Sequence, residues 1–253
     1  RLLHRTTRSL ALTEAGRAYH GRVAAALAEL GDAAAAAVEA REVPRGTVRL
    51  STPPDVGAEV LPALIAAFVA RYPEVRVEIE LSADPRDLVE GGYDLALRGG
   101  RPRGPSLTAH KLQDNAFRLY AAPAYLARAG VPGGPGDLAG HTCVLFRPWG
   151  GRCRWRLRRD GDGLGGERVE VSVTGPVAAN DLSFVRRAAV AGAGIALLPE
   201  LVGAAAVRGG GLEGVLPELS ADGLPLYLVH PAARHLPLAV RALRDHLLEH
   251  FPR

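Results

Sequence analysis

Between residues 13 and 42, apolar and small side chains recur at Val23, Leu27, Leu30, Ala34 and Ala37, at alternating steps of four and three. This narrow heptad seam predicts one long helix that pairs with a second copy of itself, with alanines permitting close approach. Thr13 stands at the N-cap position, Glu14 falls in the first turn, and Pro44 and Gly46 end the run. At about 1.5 Å per residue the helix would span roughly 45 Å. An isolated, solvent-exposed helix is the alternative.

After Gly46 the pattern changes. Strands are predicted near 47–52, 75–82, 93–98, 107–112, 117–122, 143–146, 153–158, 168–174, 195–198 and 225–230. Helices are predicted near 57–72, 84–91, 123–129, 181–192, 199–207 and 236–250. Strands alternating with helices imply an α/β domain with a mainly parallel sheet covered on both faces. The Gly-rich stretches 132–135 and 160–166 read as loops, and no internal repeat is present.

The 253 residues, 47% hydrophobic and 23% charged, have the composition of a folded globular chain of one large or two small domains. Two cysteines, Cys143 and Cys153, are too few for a disulfide framework and wrongly spaced for zinc. No metal or cofactor is expected, and a reducing cytoplasm fits this cysteine usage. No secretion signal opens the chain, and the weakly polar run 188–207 carries Pro199 and Glu200 centrally, poor material for a membrane span. No membrane partner is expected.

Charge is uneven. The net +4 lies entirely in residues 1–22, where Arg1, Arg5, Arg8, Arg17 and Arg22 face Glu14 alone; the remaining chain balances 26 basic against 26 acidic residues. Arg1, Arg5, Thr6, Thr7 and Arg8 suit contacts to a DNA backbone, where cations displace counterions and hydroxyls donate to phosphate. A frayed basic terminus is the alternative. A second cluster, Arg147, Arg152, Arg154, Arg156, Arg158 and Arg159 with Trp149 and Trp155 interleaved, has the residue types of a nucleic-acid stacking surface, but Arg152, Arg154, Arg156 and Arg158 alternate with Cys153, Trp155 and Leu157. That period predicts a solvated edge strand with one buried face.

Catalytic motifs are lacking. Gly161-x-Gly163-x-x-Gly166 and Gly209-x-Gly211-x-x-Gly214 match the dinucleotide fingerprint by letters but lack its strand-before, helix-after context. His246 and His250 lie one turn apart with no third metal ligand evident. None of the seven serines sits in a nucleophile elbow, so no catalytic residue is assigned and a binding role leads over an enzymatic one.

The opening RLLHRTTRSLALTEAG, residues 1–16, resembles the wing and the start of the linker helix in LysR-type transcriptional regulators. Segments 45–82, 91–100, 119–130, 137–141, 177–202 and 225–231 resemble that family in order, so the resemblance spans essentially the whole chain. It implies an α/β, two-lobed, type 2 periplasmic-binding-protein-like effector domain, preceded by a long linker helix and a remnant of a winged helix-turn-helix. Residues 1–12 would be the wing, 13–45 the linker and dimerisation helix, and 46–253 the effector domain. Lobe I would combine 46–121 with 225–253 and lobe II would hold 122–224, with crossings near Ala121 and Gly223. The two helices of the helix-turn-helix are not in the chain, and no Met occurs in it, so a truncated or mis-started reading frame is expected.

The function implied is effector-controlled transcription. The implied partners are promoter DNA, a small-molecule effector with organic acids as candidates, RNA polymerase, and further copies of the chain as homodimer or homotetramer. A solute-binding protein of the same fold without DNA binding is the alternative, and an enzyme on that architecture a third reading.

The effector site is also argued from the residues. Ligands of open α/β sheets bind at the carboxyl ends of strands. Ser51, Thr52 and Pro53 end the first strand before a helix whose N-terminal amides favour anions, a ready carboxylate cradle. Ser82 and Arg98 end the next two strands, and Asn180 and Asp181 open the helix at 181–192. Alternatively, Thr52, Asn180 and Asp181 are helix caps only and Arg98 is a structural ion pair.

Overall fold

Strands β1 (Leu3–Arg5) and β2 (Leu10–Leu12) pair antiparallel, with Arg5 opposite Leu10. The computed structural model describes residues 2–5, 10–16, 19, 22–23, 43–82, 91–102, 106–147, 150–160, 168–232 and 236–252. The Thr13 hydroxyl accepts the Gly16 amide at 2.9 Å and so caps the helix that begins at Glu14. Of the heptad seam, Val23 is helical and half-buried, while Leu27, Leu30, Ala34 and Ala37 lie outside the described residues.

Beyond Gly46 the chain builds two mixed sheets. In β3 (Gly46–Thr52), Val48 and Leu50 are buried toward a core while Arg49 points to solvent. Helices α1 (Pro54–Glu59) and α2 (Leu61–Arg71) follow, in place of the one helix expected over 57–72. Pro62 explains the break: it has no amide, and its ring collides with the carbonyl four residues back, so it fits only the first turn of a new helix. β4 (Val75–Leu81) and β5 (Leu95–Gly99) then flank β3, both parallel to it. The helix expected at 84–91 lies outside the described residues. β6 (Leu107–Gln113) completes this stretch.

The second sheet begins with β7 (Phe117–Ala121), α3 (Pro123–Ala129) and a 3-10 turn at Pro135–Gly140, which follows directly on the expected loop at 132–135. Asp137 shapes that turn by accepting the amides of Gly133 and Gly134 at 2.9 and 3.0 Å. β8 (Thr142–Phe146), β9 (Arg152–Arg159), β10 (Arg168–Ala179), α4 (Leu182–Val190), β11 (Ile195–Pro199) and α5 (Glu200–Arg208) follow. Two short strands, β12 (Glu213–Val215) and β13 (Leu219–Ser220), close it. β14 (Leu226–Pro231) and α6 (Leu238–His250) return to the first sheet.

The sheet orders are β4-β3-β5-β14-β6 and β12-β7-β11-β8-β10-β9-β13. Among the described residues only β3–β4, β3–β5, β8–β10 and β8–β11 are parallel pairs, so the expectation of a mainly parallel sheet is corrected. Two features make the difference: β9 and β10 form a hairpin, and β14, returning from the second sheet, slots antiparallel between β5 and β6. The first crossing between sheets falls between Gln113 and Phe117 rather than near Ala121, because β7 pairs with β11 and β12. The return crossing falls between Ser220 and Leu226.

Two strands depart from their predicted form. Gly175-Pro176 reads as a strand end, yet β10 continues to Ala179, changing partner from β9 to β8 across a register shift at this dipeptide. A Cβ on Gly175 would stand 1.6 Å from the Cys143 carbonyl oxygen, so only glycine lets β8 and β10 pass. β9 buries Trp155 and Leu157, as its alternation predicts, but it is not the outermost strand: β13 pairs with Arg158 and Arg159 and leaves the rest of that edge open.

Each sheet has its own core. Leu50, Leu61, Phe68, Leu97, Leu228, Leu243 and Leu247 fill the first, between the five strands and helices α2 and α6. Leu119, Leu145, Trp155, Leu157 and Ile195 fill one face of the second sheet, and Val144, Val185, Ala189 and Leu198 fill the other beneath α4 and α5. α1 packs against α4 and α5, which joins the two sheets. His246, on α6, is buried beside Phe68 with Nε2 at 2.9 Å from the Leu64 carbonyl oxygen.

Candidate functional site

Three strands bring the predicted residues of the first sheet together. Ser51 and Thr52, at the carboxyl end of β3, are 1% and 0% exposed. Arg98, near the end of the neighbouring β5, donates from Nη2 to Ser51 Oγ at 2.9 Å and from Nη1 to the Leu97 carbonyl at 2.8 Å. The Ser82 amide, just past β4, donates to the Thr52 carbonyl at 2.9 Å. Pro53 is the N-cap of α1. Burial lowers the pKa of the Arg98 guanidinium, while Tyr93 and Glu80 act through space to raise it.

The helix start beside them is not the open anion cradle expected. Asp55 stands in the first turn of α1, 7% exposed, and its carboxylate accepts the backbone amides of Val56 and of Asp55 itself. This helix start therefore carries a negative charge of its own, and α1 is only six residues long. Burial raises the Asp55 pKa, the two amides pull it back, and the nearby charges of Asp181 and Glu59 raise it further.

Asp181 is the N-cap of α4, which packs against α1 from the side of the other sheet. Its Oδ1 accepts the Phe184 amide at 2.7 Å and caps α4, as the alternative reading held. Thr52 is not a side-chain cap: its hydroxyl contacts the Pro53 carbonyl oxygen at 3.3 Å. Asn180 is exposed. Deeper in this junction, Arg186 pairs with Glu59, and the Ser183 hydroxyl is buried with no hydrogen-bond partner among the described residues. The residues predicted from the first sheet, Ser51, Thr52, Ser82 and Arg98, thus lie together at the ends of β3, β4 and β5, while Asn180 and Asp181 open α4, which packs against α1.

Sequence patterning does not single out Asp55, Glu59, Ser183 or Arg186. Asp55 carries a signal, an acid directly after Pro53-Pro54 at a strand-to-helix turn; the Glu59–Arg186 pair carries none. Of the residues expected to meet DNA, Arg5 ends β1, while Arg1, Thr6, Thr7 and Arg8 lie outside the described residues. Among the described residues no cluster of His, Cys, Asp or Glu is arranged for a metal, and no helix is long and apolar enough to cross a membrane. Gly209, Gly211 and Gly214 lead from α5 into β12, with no helix opening on them; Gly161, Gly163 and Gly166 lie outside the described residues.

Residues 41–252 match the model of the LysR substrate binding domain. An uncharacterized HTH-type transcriptional regulator of Haemophilus influenzae is 31% identical over 243 residues, 96% of this chain and 83% of that protein. The HTH-type transcriptional regulator PtxR of Pseudomonas aeruginosa is 34% identical over 257 residues, 100% of this chain and 79% of that protein. Among solved structures, CrgA, a LysR-type transcriptional regulator from Neisseria meningitidis, superposes with a TM-score of 0.70 at 30% identity, covering 98% of this chain and 83% of CrgA. The full-length Vibrio cholerae virulence activator AphB superposes with a TM-score of 0.68 at 28% identity, covering 100% of this chain and 84% of AphB. These relatives are named as regulators rather than enzymes, and they do not favour a solute-binding protein without DNA binding. The chain belongs to the LysR family of transcriptional regulators, and its two-sheet α/β part is the family's effector-binding domain.

Proposed function

We propose that the effector of this regulator is a small organic acid held by Ser51, Thr52, Pro53, Ser82 and Arg98 on one side and by Asn180 and Asp181 on the other. The observation that carries this reading is the Arg98–Ser51 hydrogen bond at 2.9 Å, which aims a half-buried cation along the ends of β3 and β5. Asp55 and Asp181 repel a second anionic group, so the acid presents its carboxylate to Arg98. Lobe I combines residues 46–113 with 225–253, lobe II holds 117–220, and the two crossings between them act as the hinge.

An effector shifts such a protein only by its difference in affinity between two arrangements. The output goes to the N-terminal segments. Residues 1–12 supply phosphate contacts through Arg1, Arg5, Thr6, Thr7 and Arg8. Residues 13–45 assemble the dimer or tetramer through Val23, Leu27, Leu30, Ala34 and Ala37. Promoter DNA, further copies of the chain and RNA polymerase are the macromolecular partners, in the cytoplasm.

Thermal denaturation against a panel of aliphatic and aromatic carboxylates identifies a binder by the rise in Tm that ligand linkage requires. Arg98→Ala is then expected to weaken that binder about 10- to 150-fold, matching the roughly 1.5–3 kcal/mol of a charged hydrogen bond, with Thr52→Ala weakening it less. Unchanged affinity in both folded variants places the site elsewhere. Sedimentation of a Leu27→Glu, Leu30→Glu variant tests the helix; an unaltered oligomer removes it from the interface.

A further inference from the structure

The ladder between β9 and β10 carries a basic face that neither the effector site nor the N-terminal segment explains. Its register sets Arg152 opposite Thr174, Arg154 opposite Ser172, Arg156 opposite Glu170 and Arg158 opposite Arg168. Alternation along a strand puts these eight side chains on one face. Trp155, Leu157, Val171 and Val173 point to the other and are buried.

Five guanidiniums on this face meet two carboxylates. Glu170 lies 2.7 Å from Arg156 and 3.9 Å from Arg154, and Asp222 lies 3.1 Å from Arg158 and 2.9 Å from Arg168. Each acid is shared between two arginines, which leaves a local excess of three positive charges. Residues 23–253 are neutral as a whole, so this excess is an asymmetry of the domain rather than a reflection of its composition.

The face is also concave. Two shallow hollows of about 470 and 420 Å³ follow one another along it, sharing Arg152 and Thr174. They form one trough. Arg152 and Arg154 line this trough, and since side chains two residues apart advance about 6.6 Å, the four arginines of β9 run over roughly 20 Å of the face.

The chemistry chooses the occupant. The eight ladder side chains include no hydrophobic one, whereas a protein partner needs buried apolar or aromatic anchors at the centre of its interface. Cations in a row with Ser172 and Thr174 hydroxyls between them suit a polymer whose negative charge recurs along its length. Arginines on β9 would also discourage edge pairing. That purpose leaves Arg168, Ser172 and Thr174 unexplained, because β10 lies inside the sheet between β8 and β9.

We propose that the β9–β10 face is a second, sequence-independent contact for the phosphate backbone of duplex DNA, provided by the effector-binding domain itself. The test uses the whole chain and a duplex of arbitrary sequence, about 30 base pairs long, with binding measured between about 50 and 200 mM salt. The triple variant Arg152→Gln, Arg154→Gln, Arg156→Gln is expected to bind at least about tenfold more weakly. Its slope of log K against log salt should be shallower by about 2.7, at roughly 0.9 for each phosphate no longer neutralised. The matching Arg→Lys triple keeps the slope, and Glu170→Gln, which frees Arg154 and Arg156, tightens binding. An Arg5→Gln, Arg8→Gln variant should lose affinity independently, so failure of the N-terminal contacts is told apart from failure of this face. Identical affinity and slope in the Gln triple and the parent chain overturn the proposal. So does loss of polyglutamate binding with duplex binding intact, which would make the face a dock for an acidic protein.

Discussion

Glu59, at the end of α1, and Arg186, in α4, form an ion pair at 2.5 Å although 127 residues separate them. Their side chains are 13% and 16% exposed. α1 hangs from β3 of one sheet and α4 from β10 of the other, so the pair fastens the sheets together beside the candidate effector site. Arg186 Nε is buried without a partner, and removing Glu59 would strand a guanidinium already short of hydrogen bonds. Glu59→Gln is therefore expected to lower unfolding free energy by about 1–3 kcal/mol in urea titration. The double variant Glu59→Leu, Arg186→Leu should recover most of that loss, since no desolvated charge remains. A silent Glu59→Gln would mean that the pair does not hold the junction.

Asp55 makes a pH prediction. Its pKa stands above the ordinary aspartate value of 3.8, chiefly through burial. The folded chain thus binds this proton more tightly than the unfolded one, and the contribution, present below the ordinary value, is lost as pH rises through the folded one. Asp55→Asn, which keeps an acceptor for the two amides, is expected to stabilise the protein at about pH 7 and to gain little at about pH 4. Equal urea midpoints for variant and parent at the higher pH would refute burial as the dominant influence.

Gly175 and Gly214 form a contrasting pair. A Cβ at Gly175 meets backbone at 1.6 Å, whereas at Gly214 nothing lies within 4 Å. Gly175→Ala is expected to cost about 4 kcal/mol or more, or to prevent folding, while Gly214→Ala stays within roughly 0.5 kcal/mol of the parent. Thermal melts of the two variants decide it.

The buried Cys143 thiol has its pKa pushed up to about 12, first by desolvation and then by Cys153. Because the thiolate is the reactive form, Cys143 should resist alkylation at about pH 8 in the native protein and react only on unfolding. Peptide mapping after iodoacetamide treatment checks this; native-state labelling of Cys143 would show that its pocket opens.

Legibility followed the range of the interactions. β3, β9 and α3 could be read because their burial alternates or recurs locally, and Thr13 because a cap acts over three residues. Ser51, Thr52, Ser82 and Arg98 were readable together because parallel neighbours align their carboxyl ends. β12 and β13 were too short to show a period, and Gly175-Pro176 signals a stop and a bulge with the same letters. β7 joined the unexpected sheet because nothing local distinguishes a return within one sheet from a crossing to the next. The Glu59–Arg186 pair depends wholly on how two distant helices meet.

β14 lies between β5 and β6, antiparallel to both. Gln113, where β6 ends, precedes Leu226, where β14 begins, by 113 residues. A ribosome adding about 5–20 residues per second therefore releases β5 and β6 several seconds before the strand that belongs between them. By then the residues of the whole seven-stranded sheet have been made, while β5 and β6 still lack the strand that both pair with. The gap is one strand wide, about 4.8 Å to either side. Its natural competitor is the same strand from a neighbouring nascent chain, so crowded translation of this message favours swapped, intertwined pairs.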